Sequence, residues 1–187
     1  MCSSDLESAR AILKKAEVLA VTPCTCRLIA RKCEHPVEAC LQVDNAARYT
    51  LDRGTGRRVD LAEALAILEA CRKQGLVQIT MNKAHAGHFI CNCCGCCCQA
   101  LPLIRKERLK LADPSRFTAA INHLACSGCQ SCETRCPFDA ISMVDGLAEV
   151  TPSHCMGCGL CVSICPESAI SLQETRQAHF IPGAAAP

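Results

Sequence analysis

The stretch CSGCQSCETRCP at residues 126–137 recurs as CMGCGLCVSICP at residues 155–166. Both copies have the spacing Cys-x2-Cys-x2-Cys-x3-Cys-Pro, and they are offset by about 29 residues, which indicates an internal repeat. Chance does not place four cysteines in this spacing twice in one chain. Three cysteines spaced by two residues wrap one loop around a metal centre, so the repeat predicts two similar centres.

The spacing is that of thiolate ligands to a [4Fe–4S] cube, in which each of the four irons takes one thiolate. The fourth cysteine of a run lies too far along the chain to close the same cube, and it therefore ligates the other cluster. The predicted ligands are Cys126, Cys129, Cys132 and Cys165 for the first cluster, and Cys155, Cys158, Cys161 and Cys136 for the second.

Residues 114–174 resemble the 2[4Fe–4S] bacterial ferredoxins, because both runs and the segments after them follow that pattern. The resemblance implies a carrier of single electrons at low potential. Two zinc ribbons are the alternative, but they need paired Cys-x2-Cys knuckles separated by a spacer. The predicted strands of this part are Phe117–Asn122, Ile141–Val144, Ala148–Thr151 and Ile170–Leu172.

Composition narrows the class of protein further. The chain has 187 residues, 20 cysteines and a net charge of +2, so no strong electrostatic case exists for nucleic acid or membrane partners. The longest uncharged run, Phe89–Ile104, is too short and too polar to span a bilayer. No signal peptide is visible and the clusters need reduced thiols, so we expect a cytoplasmic protein from an anaerobic or microaerobic source.

Ten further cysteines precede the repeat and form two groups, if Cys2 and the helical Cys71 are set aside. The predicted metal ligands are Cys24, Cys26, Cys33 and Cys40 in the first group, and Cys91, Cys93, Cys94, Cys96, Cys97 and Cys98 in the second. Side chains of adjacent cysteines diverge, so we expect one or two further iron–sulfur clusters, or a bridged double cluster. A zinc or metallothionein-like site and disulfides are the alternatives.

The N-terminal pattern Pro23-Cys24-x-Cys26-Arg27, followed downstream by the dense group at 91–98, resembles that of uncharacterised ferredoxin-like proteins of anaerobes. This resemblance implies no activity. Arg27 is expected either to donate to a cluster or to form a surface salt bridge. His35, His85 and His88 lie near the cysteines and are alternative ligands.

Periodicity predicts an α+β fold with two domains and a tail. Residues 1–113 form a helical, cysteine-rich domain with a small hairpin, residues 114–175 a dicluster ferredoxin-like domain, and residues 176–187 a tail. The predicted N-terminal elements are a helix from Leu6, a helix after Pro36, a helix over Leu61–Gln74 capped by Asp60, a hairpin of Leu76–Met81 with His88–Asn92, and a helix over Leu101–Leu111.

The main functional hypothesis is electron transfer through the two predicted cubes to or from the N-terminal centre. The expected partner is a redox protein, either a flavoprotein or a larger iron–sulfur enzyme. The first alternative is a reductase whose active site is the N-terminal centre. The second is a redox-sensing regulator, because helices and a hairpin within Val37–Asn92 have the outline of a winged helix.

Overall fold

The computed structural model describes residues 2–3, 6–80 and 89–175, and it confirms the α+β class. Within these residues the helices are α1 (Leu6–Lys15), α2 (Thr25–Ala30), α3 (Asn45–Asp52), α4 (Leu61–Lys73), α5 (Ala100–Lys106), α6 (Ser131–Arg135) and α7 (Leu160–Ile164). The strands are β1 (Cys2–Ser3), β2 (Leu19–Pro23), β3 (Glu38–Val43), β4 (Arg57–Val59), β5 (Val77–Thr80), β6 (Phe89–Cys93), β7 (Phe117–Ile121), β8 (Ile141–Val144), β9 (Leu147–Val150) and β10 (Ile170–Glu174).

The N-terminal part is organised around an antiparallel sheet of six strands in the order β1-β5-β6-β3-β2-β4. One face carries alternate residues such as Leu41 and Ile90, which pack with Leu13 of α1 and Leu68 of α4 in a buried core. The opposite face carries Cys40 and Cys91. The sheet therefore separates an ordinary apolar core from the face that bears the cysteines.

The segment after Pro36 is strand β3, so the predicted helix there is wrong. Val37, Cys40 and Leu41 match a helical spacing, but Ala39, Leu41 and Val43 are buried at a period of two. Because β3 lies in the middle of the sheet, the winged-helix outline is lost as well. The sheet is accordingly much larger than the single hairpin that the sequence predicts.

Other predicted N-terminal elements are confirmed. Asp60 caps α4, because its Oδ1 accepts a hydrogen bond from the Glu63 N–H at 2.8 Å, and Gly75 ends the helix at φ 82°. The two hairpin strands are β5 and β6, while the predicted connection at 82–87 lies outside the described residues. Helix α5 is shorter than predicted, since Arg108 takes a left-handed φ of 52°.

The C-terminal part consists of two antiparallel strand pairs, β7 with β10 and β8 with β9, that flank the cysteine loops. Ile121 pairs with Ile170, and Ile141 pairs with Val150. These four strands confirm the predicted ones within one or two residues at their ends. None of the helices in residues 6–80 and 89–175 has the length and apolar character needed to span a bilayer.

Candidate metal centres

The two repeated runs fold in the same way, and each contains one turn of helix, α6 or α7, that carries its third cysteine. Gln130 and Gly159 occupy equivalent places before α6 and α7, and both have left-handed backbone angles, at φ 63° and 72°. Asp139 and Ser168, again 29 residues apart, share φ 51°. The repeat seen in the sequence is therefore a repeat of backbone conformation.

Backbone N–H groups point at the last cysteine of each run in the same way. The N–H of Ala140 lies 3.4 Å from Cys136 Sγ, and the N–H of Ala169 lies 3.3 Å from Cys165 Sγ. Hydrogen bonds of this kind to a thiolate orient a metal ligand and tune the centre that it holds. Both fourth cysteines are thus prepared as ligands by the chain itself.

The fourth cysteine of the first run lies with the first three of the second run. One cavity is lined by Cys136, Cys155, Cys158 and Cys161, together with the apolar side chains of Ala119, Phe138, Ile141, Met156, Leu160 and Leu172. This is the arrangement that exchange of the fourth ligand requires. The ligand assignment itself remains a prediction.

The thiols of this cavity fit a soft metal centre. Burial and, to a lesser extent, the neighbouring thiols, Cys136 and Cys155 among them, raise the pKa of Cys158 and of Cys161 to about 12. Burial also raises the pKa of Cys136. Thiolates packed this closely in an apolar cavity need a cation to compensate their charge, and thiolates select iron–sulfur clusters and zinc.

The other predicted ligand set, that of the first cluster, is closer to solvent. Cys132 is buried and packs with the partly buried Cys126 and Cys165, whereas Cys129 is exposed. A hydrogen bond between the Cys129 thiol and the Ser131 hydroxyl, with 3.4 Å between Sγ and Oγ, lowers the pKa of Cys129. Leu124, in the turn just before this run, is fully exposed.

Six N-terminal cysteines surround a second cavity, of about 240 Å³, on the cysteine-bearing face of the sheet. They are Cys24, Cys26, Cys40, Cys91, Cys93 and Cys98, and Cys94 and Cys97 complete the wall. The cavity has several times the volume of one water molecule (~30 Å³), so it has room for more than one ion. The six come from α2 and its N-terminus, from β3, from β6 and from the segment just before α5.

Strand register brings these distant cysteines together. Leu41 pairs with Ile90, and the residues beside them, Cys40 and Cys91, point to the other face. Hydrogen bonds from Cys40 and then from Cys93 lower the pKa of Cys91 to about 4, despite burial. A hydrogen bond from Cys93 and, to a lesser extent, the backbone N–H groups of α5 lower the pKa of Cys98 to about 6. The thiols therefore form one interacting set.

Four other thiol ligands make a separate, compact group. The Sγ atoms of Cys33, Cys94, Cys96 and Cys97 all lie within 4.8 Å of one another. The expectation that adjacent cysteines diverge is wrong for Cys96 and Cys97, because the turn after β6 folds both toward Cys33. The ten predicted N-terminal ligands thus divide into sets of six and four. None of the cysteines from Cys24 to Cys165 forms a disulfide.

Arg27 lies buried between the two N-terminal sets, and only 3% of its surface is exposed. It is therefore not in a surface salt bridge. Its guanidinium donates to the carbonyl of Pro36 at 2.6 Å and to the carbonyl of Asn92. Burial raises the pKa of Cys94, but hydrogen bonds from Arg27 and from Cys96 outweigh it and lower that pKa to about 6.

A buried polar network that the sequence analysis missed supports β6. Asn92 donates from Nδ2 to the Ala39 carbonyl at 2.7 Å, and its Oδ1 accepts from Gln78 Nε2 at 3.0 Å. The sequence contained a signal for this network: Asn92 lies between Cys91 and Cys93 in a strand, so its polar side chain must face the other side of the sheet. Cys71 is buried, as predicted for a residue that packs rather than binds metal.

The structure describes one of the three histidines that were predicted as alternative ligands. His35 has one ring nitrogen, Nδ1, 3.1 Å from Gln74 Oε1, and this contact is exposed. His85 and His88 lie outside the described residues, so their proposed ligand role stays a prediction.

Comparison with known proteins supports the reading of the repeat. Residues 119–166 match a family model described as a 4Fe-4S dicluster domain. The match covers about a quarter of the chain, includes all eight cysteines of the repeat and stops short of the N-terminal cysteines. No curated protein matches the chain. The matched part is therefore similar to a 4Fe-4S dicluster domain, and this similarity implies iron–sulfur electron transfer.

Proposed function

We propose that the protein transfers single electrons at low potential between a redox partner and an N-terminal iron–sulfur centre held by the six-cysteine set. One observation carries the proposal. A single buried cluster contains Cys98, Leu101 and Val77 from the N-terminal part and Phe138, Cys158 and Leu160 from the repeat. Cys91, Cys93, Cys136 and Cys155 pack against it. The second predicted cluster site and the six-cysteine cavity therefore share one apolar wall.

The three sites follow one another from the surface inward. The first set of the repeat reaches solvent at Cys129, and its buried members pack in the same apolar cluster as Cys161. The second set adjoins the six-cysteine cavity through Phe138 and Leu160. When clusters are bound, they supply the one-electron chemistry. The chain would hold them in this order.

The six-cysteine set is suited to a polynuclear centre rather than to one ion. Six thiols exceed the four that a single tetrahedral ion or one cube requires, and they line a cavity of about 240 Å³. Cys40, Cys91, Cys93 and Cys98 interact in succession across it. This density supports one large iron–sulfur centre at this place.

The partner is expected to meet the protein at the exposed edge of the first set. Leu124 is fully exposed, and the turn that holds it ends at Cys126, a predicted ligand. A flavoprotein or a larger iron–sulfur enzyme could bring its own redox group against this apolar edge. Leu124→Ser should then slow reduction by the partner, whereas Leu109→Ser, at another exposed leucine, should leave the rate unchanged.

Metal content of the full chain, purified without oxygen, tests the proposal. The repeat alone accounts for about eight irons with matching acid-labile sulfide. We expect clearly more than eight, because the six-cysteine set also holds iron. Reduction followed by EPR should show interacting spins, since the sites share a wall.

Variants separate the two parts of the proposal. Cys93→Ser should remove the iron above eight and leave the signals of the repeat in place. Cys71→Ser is the matched control, because Cys71 is a buried cysteine outside both thiol sets. A wild-type content of about eight irons, unchanged in Cys93→Ser, would overturn the N-terminal centre. Iron near zero with bound zinc would overturn the whole proposal.

A reductase is the second candidate, and the lining of the six-cysteine cavity favours it. Thr22, Thr25 and Gln42 place polar groups beside the thiols, and Gln42 Nε2 lies 3.5 Å from Thr22 Oγ1. A small molecule could enter there and meet the centre directly. A substrate that changes the EPR spectrum of the N-terminal centre, but not the spectra of the repeat, would favour this candidate over simple transfer.

A further inference from the structure

We propose that Cys33, Cys94, Cys96 and Cys97 bind one divalent ion as a closed, four-thiolate structural site, separate from every iron–sulfur cluster. Cys33 Sγ lies 3.9 Å from Cys94 Sγ and 3.5 Å from Cys97 Sγ. Four thiolates at about 2.3 Å from a tetrahedral ion lie about 3.8 Å apart. Both of these separations are therefore close to the one that a single ion imposes.

The same distances argue against a cube at this place. In a [4Fe–4S] cluster the four thiolates bind four different irons, so their sulfurs lie farther apart than sulfurs that share one ion. All four Sγ atoms here are within 4.8 Å of one another. The six-cysteine set, by contrast, surrounds a cavity of about 240 Å³. The dense cysteine segment thus serves two centres of different size.

Local structure explains how close neighbours in the sequence can share an ion. After β6 the chain turns over residues 95–97, and the Cys98 N–H closes the turn on the Cys94 carbonyl at 3.1 Å. Cys33 comes from the segment that follows α2, which ends at Arg31 with a left-handed φ of 50°. One turn therefore supplies three ligands, and a second segment supplies the fourth.

The burial of the four cysteines is that expected for a structural ion that can enter from solvent. Cys94 and Cys97 are buried against Ala39, Cys71 and Leu76, so the ligands have an apolar backing. Cys96 is exposed, which leaves a way in for the ion. Four protein ligands close the coordination shell, as in structural rather than catalytic sites.

Arg27 gives the site a second, independent support. The guanidinium joins the two segments that carry the ligands, since Pro36 follows Cys33 and Asn92 precedes Cys94. Its Nε is buried without a hydrogen-bond partner among the described residues. Four thiolates around a divalent ion carry a net charge of about −2, and the buried cation compensates part of it.

The consequence is that the ion would fix the wall of the neighbouring cavity. Cys93 and Cys98 flank the turn and belong to the six-cysteine set, and Cys94 and Cys97 also line that cavity. A bound ion would hold the turn whether or not iron–sulfur clusters are present. The proposal therefore stands independently of the electron-transfer function.

The test uses the full chain purified without oxygen, with zinc and iron measured separately. We expect about one zinc per chain, and X-ray absorption at the zinc edge should show four sulfur neighbours at about 2.3 Å. If the cell inserts iron instead, Mössbauer spectra should show one mononuclear tetrathiolate iron beside the clusters. Absence of both species, or a zinc shell of nitrogen and oxygen, would overturn the proposal.

Variants then assign the ligands. Cys96→Ser changes the exposed ligand and is the least disruptive to folding. It should lose the single ion and keep the iron of the repeat, whereas Cys71→Ser should keep both. Loss of about four irons in Cys96→Ser would instead show that these cysteines hold a cube. Cobalt added to the metal-depleted wild type should give intense thiolate charge-transfer bands, a readout that does not depend on a variant.

Discussion

The repeat at 126–166 and the cysteine groups at 24–40 and 91–98 solve the same problem in opposite ways. In the repeat, three cysteines come from one short loop, so spacing in the sequence determines which thiols meet. In the N-terminal part, helix α2, strand β3, strand β6 and the turn before α5 each supply cysteines, and strand register determines which thiols meet. A site built from one loop can be recognised from the spacing of its cysteines, whereas a site built from distant strands cannot.

The largest effect is expected from removal of the exchanged ligand. Cys136→Ser should cost about four irons per chain, and the lost signal should be that of the cluster bound by Cys155, Cys158 and Cys161. The reason is that Cys136 belongs to the first run in sequence but to the second cavity in space. Iron analysis with EPR measures the result. Loss of the more exposed cluster instead would contradict the exchange.

The sequence was sufficient to predict the structure of the repeat, because the cysteines of each run lie close together in the chain. The strands around the loops were predicted to within one or two residues, and the match to a dicluster family covers the same cysteines. Left-handed angles at Gln130 and Gly159 show why the copies fold alike even though only one of these residues is a glycine. Nothing distant needs to be known to read such a motif.

The division of the N-terminal cysteines into sets of six and four could not be predicted from their spacing in the sequence. It depends on the pairing of Leu41 with Ile90, two residues 49 positions apart in the sequence. The segment 37–43 also fits a helical spacing at three positions, and only its burial at a period of two identifies a strand. A wrong element at this point moves Cys40 away from Cys91, and the six-cysteine set then disappears.

A large loss of stability is expected from Arg27→Met. The carbonyls of Pro36 and Asn92 would lose their shared donor, and each unsatisfied buried group costs about 1–3 kcal/mol. We expect the free energy of unfolding to fall by about 2–5 kcal/mol in anoxic denaturant titrations. Lys32→Ala removes an exposed cation from the same stretch and should change it little. Equal losses in both variants would contradict the bridging role of Arg27.

An intermediate effect is expected where the repeat rests on strand β7. Gly157 has φ 66°, and a Cβ there would collide with the Phe117 carbonyl and the Ser115 hydroxyl. Gly157→Ala must therefore shift the backbone, so we expect weaker iron retention and a lower unfolding temperature. Gly146→Ala is the control, since it also has a positive φ, of 81°, but has open space around it.

Comparison of Gly157→Ala with Gly146→Ala isolates the collision from the backbone angle. The cost of an alanine at a positive φ, about 1–2 kcal/mol, is common to both variants. Any further loss in Gly157→Ala measures how tightly the second loop is held against Phe117. Indistinguishable unfolding temperatures would show that the loop can move away without cost.

The smallest effect should distinguish the two halves of the repeat. Ser131 lies beside Cys129, and the residue 29 positions later is Leu160, which is fully buried. With Cys129 bound as a thiolate, the Ser131 hydroxyl would donate to it and stabilise the more negative, reduced state. The first cluster, which is also more exposed, should therefore have the higher potential of the two.

Ser131→Ala tests this difference directly. Loss of one hydrogen bond of about 0.5–1.5 kcal/mol should lower the potential of the first cluster by about 20–60 mV, while the second stays unchanged. Ser142→Ala, an exposed serine on β8, should move neither potential. A shift confined to the lower of the two potentials would mean that the exposed loop holds the lower-potential cluster. The unfavourable step of electron transfer would then be reduction of the cluster at the surface rather than of the cluster inside the protein.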